Sequence, residues 1–176
     1  QLIGEFREGA LPNLDDVPFP HSGPFFDALK WMKGFYCTMA SRGCPNACSY
    51  CFNSFFLDTR GNGKIRRRSV DNMIEELVQA KEKHGAKFIS FCDDCFAWSR
   101  KWLAEFLEQY HEKVGLRFQC NVIPRYVDDE VAGMLADSGC VYITIGVQSL
   151  SEELCTEVLT RKSNNESIAM AIKCLR

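Results

Sequence analysis

Apolar residues recur along this chain with two spacings, and the alternation of the two predicts strands followed by helices. Compact apolar runs predict four buried strands, at residues 35–39, 87–92, 117–123 and 140–147. Apolar residues three and four apart predict amphipathic helices that begin near Ser69, Ser99, Asp128, Ser151 and either Asn164 or Asn165. Glycine ends several of these predicted helices, at Gly85, Gly115 and Gly139.

The repeated order of strand and helix predicts an α/β fold. Strands joined through helices form βαβ units, and such units build a parallel sheet. Two arrangements stay open on the pattern alone, an open doubly wound sheet and a curved barrel of the TIM type. No G-x-G-x-x-G sequence follows any predicted strand, which counts against a dinucleotide-binding sheet.

Composition limits the classes of protein that fit this pattern. At 176 residues and 46% hydrophobic, the chain is long enough for one domain with a sizeable core. Its 21 basic and 23 acidic residues give a net charge of -2, so no overall field favours nucleic acid or an anionic membrane. Ten cysteines in apolar segments, with no leader and no apolar run of membrane-spanning length, are typical of a cytoplasmic protein.

The first part of the chain differs from the rest because it holds most of the six prolines. Proline disfavours helix in the residue before it, so residues 1–33 are predicted to form an extended linker and residues 34–176 the folded domain. The arginine run at residues 66–68 is predicted to be a solvated entry to the helix that follows it, with contact to an acidic partner or a phosphate as the alternative.

Three cysteines, Cys44, Cys48 and Cys51, carry the most specific chemical signal in the chain. They lie in a short segment rich in turn residues, which predicts a loop that brings the thiols towards one point. Cysteine thiolates bind iron-sulfur clusters, and three of them leave one iron of a 4Fe-4S cluster open to another ligand. Structural zinc and electron-transfer clusters instead favour C-x2-C pairs.

Two other interpretations of these cysteines stay open. They can be buried thiols that bind no metal, or part of a zinc or electron-transfer centre completed by Cys37 or by the Cys92 and Cys95 pair. Cys92 and Cys95 also form a C-x2-C sequence of their own, which is either a redox pair or two incidental thiols.

The sequence C-x3-C-x-aromatic-C, with Tyr50 as the aromatic residue, resembles the signature of the radical S-adenosylmethionine (SAM) enzymes. The resemblance implies a 4Fe-4S cluster on the three cysteines, SAM on its open iron, and Tyr50 against the adenine. It implies reductive cleavage of SAM to a 5'-deoxyadenosyl radical, a small-molecule substrate, and a reductant such as flavodoxin or ferredoxin. It also implies a partial TIM-type (β/α) barrel, of which about the first four of six βα units fit this length.

The segment NLDDVPFP, at residues 13–20, resembles the connector that follows a cobalamin-binding domain in one branch of this family. On this resemblance the first dozen residues are expected to be the tail of an upstream domain, and any cobalamin to be bound by sequence absent from this chain. The alternative is a proline-rich arm on the domain surface. Methyl transfer, methylthio transfer and radical rearrangement all stay open, and no residue is assigned to catalysis.

Polar residues follow the predicted strands, where ligands bind in parallel α/β folds. Asp93 and Asp94 end the second strand, and by the resemblance this acidic pair receives the amino group of SAM. Gln148 and Ser149 end the fourth strand and offer hydrogen bonds to ribose hydroxyls. Arg161 matches a position from which relatives approach the SAM carboxylate, a role that suits a planar guanidinium.

Each of these positions also has a plainer interpretation. The aspartates and Ser149 suit helix-capping turns, and Arg161 suits a helix surface. Asn121 and Arg125 flank the end of the third strand and are predicted to line the same cavity. The sequence therefore predicts a radical SAM enzyme, with a non-catalytic zinc or electron-transfer module as its rival.

Overall fold

The computed structural model describes residues 11–21, 23–59 and 65–176. Its strands are β1 (Phe35–Thr38), β2 (Ser41–Arg42), β3 (Arg66–Arg67), β4 (Phe88–Phe91), β5 (Arg117–Val122) and β6 (Cys140–Ile145). Its helices are α1 (Gly23–Ala28), α2 (Phe52–Thr59), α3 (Val70–His84), α4 (Arg100–Lys113), α5 (Asp129–Asp137) and α6 (Asn165–Cys174). None of the described helices combines the length and the apolar character needed to cross a membrane.

Four parallel strands form the main sheet, in the order β1-β4-β5-β6. Phe35 is paired with Phe88, Phe88 with Arg117, and Gln119 with Tyr142. These four strands lie in the sheet in the same order as they follow one another along the chain, which is the order that consecutive βαβ units produce. The predicted parallel α/β fold is therefore confirmed, and the carboxyl ends of the strands lie along one edge.

An aromatic cluster packs between this sheet and the helices on one face. Phe91 stacks on Phe96 with 4.4 Å between ring centroids. It also meets Phe106, Tyr110 and Phe118 through ring edges. All five side chains are almost completely buried, and edge-to-face pairs of this kind stabilise a core beyond the area that they bury. The cluster therefore fixes β4 and β5 against the helices, and this fixes the positions of the residues that follow the two strands.

Most helix boundaries follow the signals that predicted them, although Ser99 makes no capping hydrogen bond where α4 begins. The Ser69 hydroxyl accepts a hydrogen bond from the Asn72 backbone N–H at 3.2 Å where α3 begins. Gly85 ends α3 with a φ of 66°, a conformation that glycine adopts without strain. Side chains of Asp128 and Asn164 cap α5 and α6 in the same way. The strands are slightly shorter than predicted, since β6 ends at Ile145.

The predicted linker contains more regular structure than its prolines indicated. Helix α1 lies within it, together with two 3-10 turns at Leu14–Asp16 and Lys30–Met32. The predicted tail of an upstream domain falls largely on residues 1–10, which lie outside the described residues. The division of the chain into linker and domain stays a prediction.

The prediction of a solvated arginine run is wrong for Arg68. This residue is 8% exposed and forms an ion pair with Glu76 of α3. The Glu76 carboxylate also accepts hydrogen bonds from the Tyr36 hydroxyl at 3.1 Å and the Thr38 hydroxyl at 2.7 Å. Because every oxygen of this buried carboxylate has a partner, the network joins α3 firmly to β1.

The prediction is also wrong for Arg67. Its guanidinium lies over the Trp98 and Trp102 rings, 4.8 and 4.3 Å from their centroids. Burial lowers the pKa of Arg67 to about 10, while the neighbouring Asp93 opposes that change. A cation between two indole rings is stabilised by their π-systems, so Arg67 is part of the packing behind the carboxyl edge of the sheet.

Candidate metal and cofactor site

The cysteine loop, residues 40–51, begins where β1 ends and is held in place by Asp93. The Asp93 carboxylate accepts a hydrogen bond from the Ala40 backbone N–H at 2.9 Å and another from the Ser41 hydroxyl. Burial raises the pKa of Asp93, whereas these two hydrogen bonds and the charge of Arg67 lower it. Asp93 is 0% exposed and both of its oxygens are engaged. Its position therefore suits anchoring of the loop better than contact with SAM.

Asp94, the second predicted aspartate, lies beside the first cysteine of the loop. It is partly exposed and interacts with Cys44. Burial raises the pKa of the Cys44 thiol, the Asn46 backbone N–H lowers it, and Asp94 with the Cys48 and Cys51 thiols raises it. The structure thus places Asp94, from the end of β4, next to the loop that carries the three predicted cysteines.

Arg161 joins the end of β6 to the middle cysteine of the loop. Its Nη2 donates to the Gly146 carbonyl at 2.7 Å, and its Nη1 donates to the Cys48 sulfur at 3.6 Å. The residue is 6% exposed, so the plainer interpretation of a surface arginine does not fit. The predicted contact with a SAM carboxylate is untested, and two of the three guanidinium nitrogens already have partners in the protein.

The segment before Arg161 accepts hydrogen bonds from the same loop through its backbone carbonyls. The Ser49 N–H donates to the Leu159 carbonyl at 3.0 Å, and the Ser49 hydroxyl donates to the Val158 carbonyl at 2.6 Å. Thr160, between this contact and Arg161, has a φ of 50°. Non-glycine residues rarely adopt that conformation, and they keep it where the surrounding structure fixes it. The loop is thus held from β4 on one side and from residues 158–161 on the other.

Tyr50 has its hydroxyl at this junction, and about half of the residue is exposed to solvent. The hydroxyl interacts with both Cys48 and Arg161. Partial burial and Cys48 raise the pKa of Tyr50, while Arg161 lowers it. The exposed part of the residue is open to stacking by a planar ligand, as the predicted adenine contact requires.

Gln148 and Ser149, at the end of β6, differ in whether their side-chain polar groups are free to bind a ligand. Gln148 is exposed and has a φ of 71°, the second strained non-glycine residue near the loop. Its contact with a ligand stays a prediction. The Ser149 hydroxyl instead accepts a hydrogen bond from the Ser151 backbone N–H at 3.1 Å. That contact agrees with the alternative interpretation of Ser149 as part of a capping turn.

Cys92 and Cys95 do not face one another as a redox pair would. Cys95 is fully buried beside Cys44, and burial raises its pKa to about 12. Cys92 is exposed, interacts with Cys37 on the neighbouring strand, and lines a cavity with it. Of the predicted completing thiols, only Cys95 is therefore close to the cysteine loop.

Asn121 and Arg125, the two polar residues predicted to flank the end of the third strand, both reach this region. Asn121 donates from Nδ2 to the Asp93 carbonyl at 3.1 Å. Arg125 donates from Nη2 to the Pro45 carbonyl within the cysteine loop at 3.3 Å. Asn46 and Gly146 were not predicted as site residues. Their only signals in the sequence are the place of Asn46 inside the cysteine motif and the place of Gly146 at the end of the most apolar run.

The donor groups around the cysteine loop fit an anionic cluster held by thiolates. Asn46 Nδ2 and Arg161 Nε are buried without a hydrogen-bond partner, a costly state for a polar group unless a ligand meets it. Among the described residues, no group of three or more His, Cys, Asp or Glu side chains is placed to hold a single metal ion. A 4Fe-4S cluster makes a different demand, because each cysteine binds a different iron.

Comparison with known families agrees with this arrangement. The model of the Radical SAM superfamily matches residues 39–176. A curated relative, bacteriochlorophyllide d C-12(1)-methyltransferase from Chlorobaculum tepidum, is 31% identical over 119 residues, which are 66% of this chain and 25% of that protein. The chain thus spans about a quarter of the length of this relative.

Solved structures show the same fold. The radical SAM methyltransferase TsrM from Kitasatospora setae, with tryptophan and a SAM analogue bound, matches 83% of this chain and 29% of its own, with a TM-score of 0.68 at 20% identity. Another structure of that enzyme holds cobalamin and a [4Fe-4S] cluster. The coproporphyrinogen III oxidase HemN from Escherichia coli matches 82% of this chain and 34% of its own, with a TM-score of 0.56 at 16% identity. These likenesses confirm the partial barrel.

Proposed function

This chain belongs to the radical SAM superfamily, and on that premise we propose that it binds a 4Fe-4S cluster through Cys44, Cys48 and Cys51 and cleaves SAM reductively. When bound, such a cluster supplies the electron that converts SAM to methionine and a 5'-deoxyadenosyl radical. The observation that carries the proposal is the surroundings of Cys48, whose sulfur meets Arg161 beside the buried, unpartnered Nε. Buried cationic donors of this kind stabilise a thiolate-ligated anion.

The residues around the cysteine loop divide the binding of SAM between them. The half-exposed Tyr50 stacks on the adenine, and Gln148 donates or accepts hydrogen bonds at the ribose hydroxyls. Asp94 receives the amino group, because Asp93 is committed to the loop backbone. Ser149 supports the turn that presents Gln148. Arg161 Nε is buried without a partner, and in this proposal it donates a hydrogen bond to the SAM carboxylate.

Methyl transfer is the outcome that the relatives favour. The curated relative and TsrM are both methyltransferases, and the NLDDVPFP connector resembles that of the cobalamin-linked branch. In this proposal a cobalamin is bound by sequence outside the chain, and a small molecule receives the methyl group. A reductant such as flavodoxin or ferredoxin supplies electrons in the cytoplasm. All ten cysteines lie within the described residues and are free thiols, as a reducing compartment requires.

The first test is anaerobic reconstitution with iron and sulfide, followed by electron paramagnetic resonance of the reduced chain with and without SAM. The proposal expects about four irons and four sulfides per chain, and a reduced signal that changes when SAM is added. Cys48→Ala should lose the signal. Cys92→Ala, which removes an exposed thiol outside the cysteine loop, should keep it.

The rival metal module makes different expectations for the same samples. It expects bound zinc, or a cluster whose signal is indifferent to SAM and is lost in Cys95→Ala or Cys37→Ala, since one of these thiols would complete the site. Either result would overturn the proposed function. A SAM-dependent signal that survives both of these substitutions excludes the rival.

A further inference from the structure

We propose that Arg161 is a positioning residue that raises the reduction potential of the cluster, by donating a hydrogen bond to the Cys48 sulfur from an anchor on the end of β6. This inference rests on the proposed function, because it concerns the cluster that Cys48 helps to hold. It adds an electrostatic role to the SAM contact predicted for Arg161 from the sequence.

The Arg161 guanidinium forms a bridge between the end of β6 and Cys48. One terminal nitrogen donates to the Gly146 carbonyl at 2.7 Å, and the other donates to the Cys48 sulfur at 3.6 Å. Sulfur accepts hydrogen bonds at longer distances than oxygen does because it is the larger atom. The rigid fork of the guanidinium fixes one contact relative to the other, so the position of the end of β6 sets the position of the donor at Cys48.

The charge of Arg161 is buried and has no acidic partner in the part of the chain that the structure describes. Its exposure is 6%, and the ion pairs there involve Arg68 and Arg100 instead. A buried cation without a counter-charge is costly. The neutral carbonyl of Gly146 offsets only part of that cost. A cluster ligated through Cys48 would supply the missing negative charge.

The backbone around Arg161 holds the bridge in place from both ends. The Arg161 N–H donates to the Cys155 carbonyl at 2.8 Å, directly after the strained Thr160. A Cβ at Gly146 would lie 3.2 Å from Arg161 Nη2, so a larger residue there would crowd the guanidinium. Strain and close approach of this kind persist where the structure needs one precise position.

The expected effect on the cluster follows from its charge. Reduction adds one electron, and a cationic donor at a ligating sulfur stabilises the more negative form. Loss of the donor should therefore make the cluster harder to reduce. The burial of Arg161 strengthens the interaction because the surrounding protein screens it weakly. We expect at least a tenfold fall in the equilibrium constant for reduction, or about 59 mV for a one-electron couple.

The test is a redox titration of reconstituted chains, followed by the paramagnetic signal of the reduced cluster without SAM. Arg161→Gln should shift the midpoint to a more negative potential by the amount above. Arg161→Lys keeps the charge but loses the fork, so it should give a smaller shift in the same direction. Lys162→Gln removes the same charge from the exposed neighbouring residue and should leave the midpoint unchanged.

A second variant tests the bridge without altering the charge. Gly146→Ala should displace Nη2 and shift the midpoint in the same direction as Arg161→Gln, but by less. Gly133→Ala makes the same substitution in α5, where a Cβ meets nothing within 4 Å, and should not change the midpoint. If Arg161→Gln fails to hold a cluster, the shift in Gly146→Ala decides the question.

The results separate this inference from the function on which it rests. If the unchanged chain holds a SAM-responsive cluster but none of the Arg161 and Gly146 variants moves the midpoint, the inference is wrong and the proposed function stands. A positive shift in Arg161→Gln would also overturn the inference. If the unchanged chain holds no cluster that responds to SAM, the proposed function itself fails.

Discussion

At the scale of single residues, two strained backbone positions lie beside the cysteine loop. Gln148 and Thr160 both have positive φ, at 71° and 50°, and neither is a glycine. Such conformations cost about 1–3 kcal/mol each and cluster at functional sites. Gln148 is itself predicted to bind ribose, and Thr160 directly precedes Arg161, so the strain coincides with two parts of the candidate site.

Thr160→Gly should stabilise the folded chain, because glycine adopts a positive φ without the penalty that a β-branched residue meets. We expect the free energy of unfolding to rise by about 1 kcal/mol in urea denaturation. Thr156→Gly is the matched control. Thr156 lies in the helical turn Leu154–Val158, where glycine should lower stability by about 0.3 kcal/mol, because threonine is already a weak helix former. A loss of stability in both variants would mean that Thr160 is not strained.

Cys95 should make the stability of the chain depend on alkaline pH. Burial raises its pKa from 9.0 to about 12, so the folded state keeps the thiol protonated where the unfolded state loses the proton. The corresponding stability is complete below pH 9 and is lost as pH rises towards 12. In Cys95→Ala the decline of unfolding free energy over that range should be shallower by about 1.4 kcal/mol per pH unit.

Urea denaturation at a series of pH values measures these slopes. Other buried groups with raised pKa values, such as Cys120 and Tyr110, contribute to the decline in every variant, so the comparison is between slopes. Cys92→Ala removes a thiol that is exposed in the folded chain and that only adds to the raised pKa of Cys37, so its slope should stay closer to that of the unchanged protein than the slope of Cys95→Ala does. Equal slopes in all three proteins would contradict the burial of Cys95.

At the scale of elements, the Glu76 network fixes the strand that delivers the cysteine loop. Glu76 lies on α3, while its partners Tyr36 and Thr38 lie on β1 and Arg68 lies just before α3. Asp93 adds a second tie, from the end of β4 to the start of the loop. Contacts from α3, β1 and β4 thus fix the start of the cysteine loop, and with it the position of its first cysteine.

Glu76→Ala should lower the free energy of unfolding by about 3–5 kcal/mol, since it leaves Arg68 buried without its counter-charge. Glu75→Ala on the exposed face of the same helix should change it by less than about 0.5 kcal/mol. Chemical denaturation of the two variants side by side gives both values. Similar losses in both would show that the buried ion pair adds nothing specific.

At the scale of the whole molecule, the outer strands β1 and β6 of the main sheet each have a single partner strand within the described residues. Strand β6 is the last in the order β1-β4-β5-β6, and its Tyr142 is 60% exposed. Unpaired strand edges with exposed apolar residues promote self-association. Because β6 is open and Tyr142 is exposed, we expect the chain to associate through this strand when it is studied alone.

Tyr142→Lys should weaken this association, because a charged residue beside an open edge opposes strand pairing between copies. Sedimentation velocity over a range of protein concentrations measures the effect. Ala104→Lys adds the same charge on the exposed face of α4 and should not alter association. An unchanged tendency to associate in Tyr142→Lys would place the contact elsewhere.

The sequence alone determined the local elements and the cysteine motif. Four strands, their alternation with helices and the caps at Ser69, Asp128 and Asn164 follow from periodicity and from side chains that act within a few residues. The short pair β2 and β3 and helix α2 were not predicted. Two-residue strands have no period to detect, and α2 follows the cysteines without a clear cap.

Only the tertiary structure decided which residues meet at the site. Arg161 and Cys48 are 113 residues apart in sequence, and no spacing rule links them. Cys92 and Cys95 are neighbours in sequence, yet they lie in different surroundings because the chain turns between them. The sequence predicts Arg67 and Arg68 as solvated charges. In the folded chain Arg67 instead lies against two indole rings, and Arg68 pairs with a buried carboxylate. Local pattern reports the chemistry that each residue offers, whereas its partner depends on how distant segments pack.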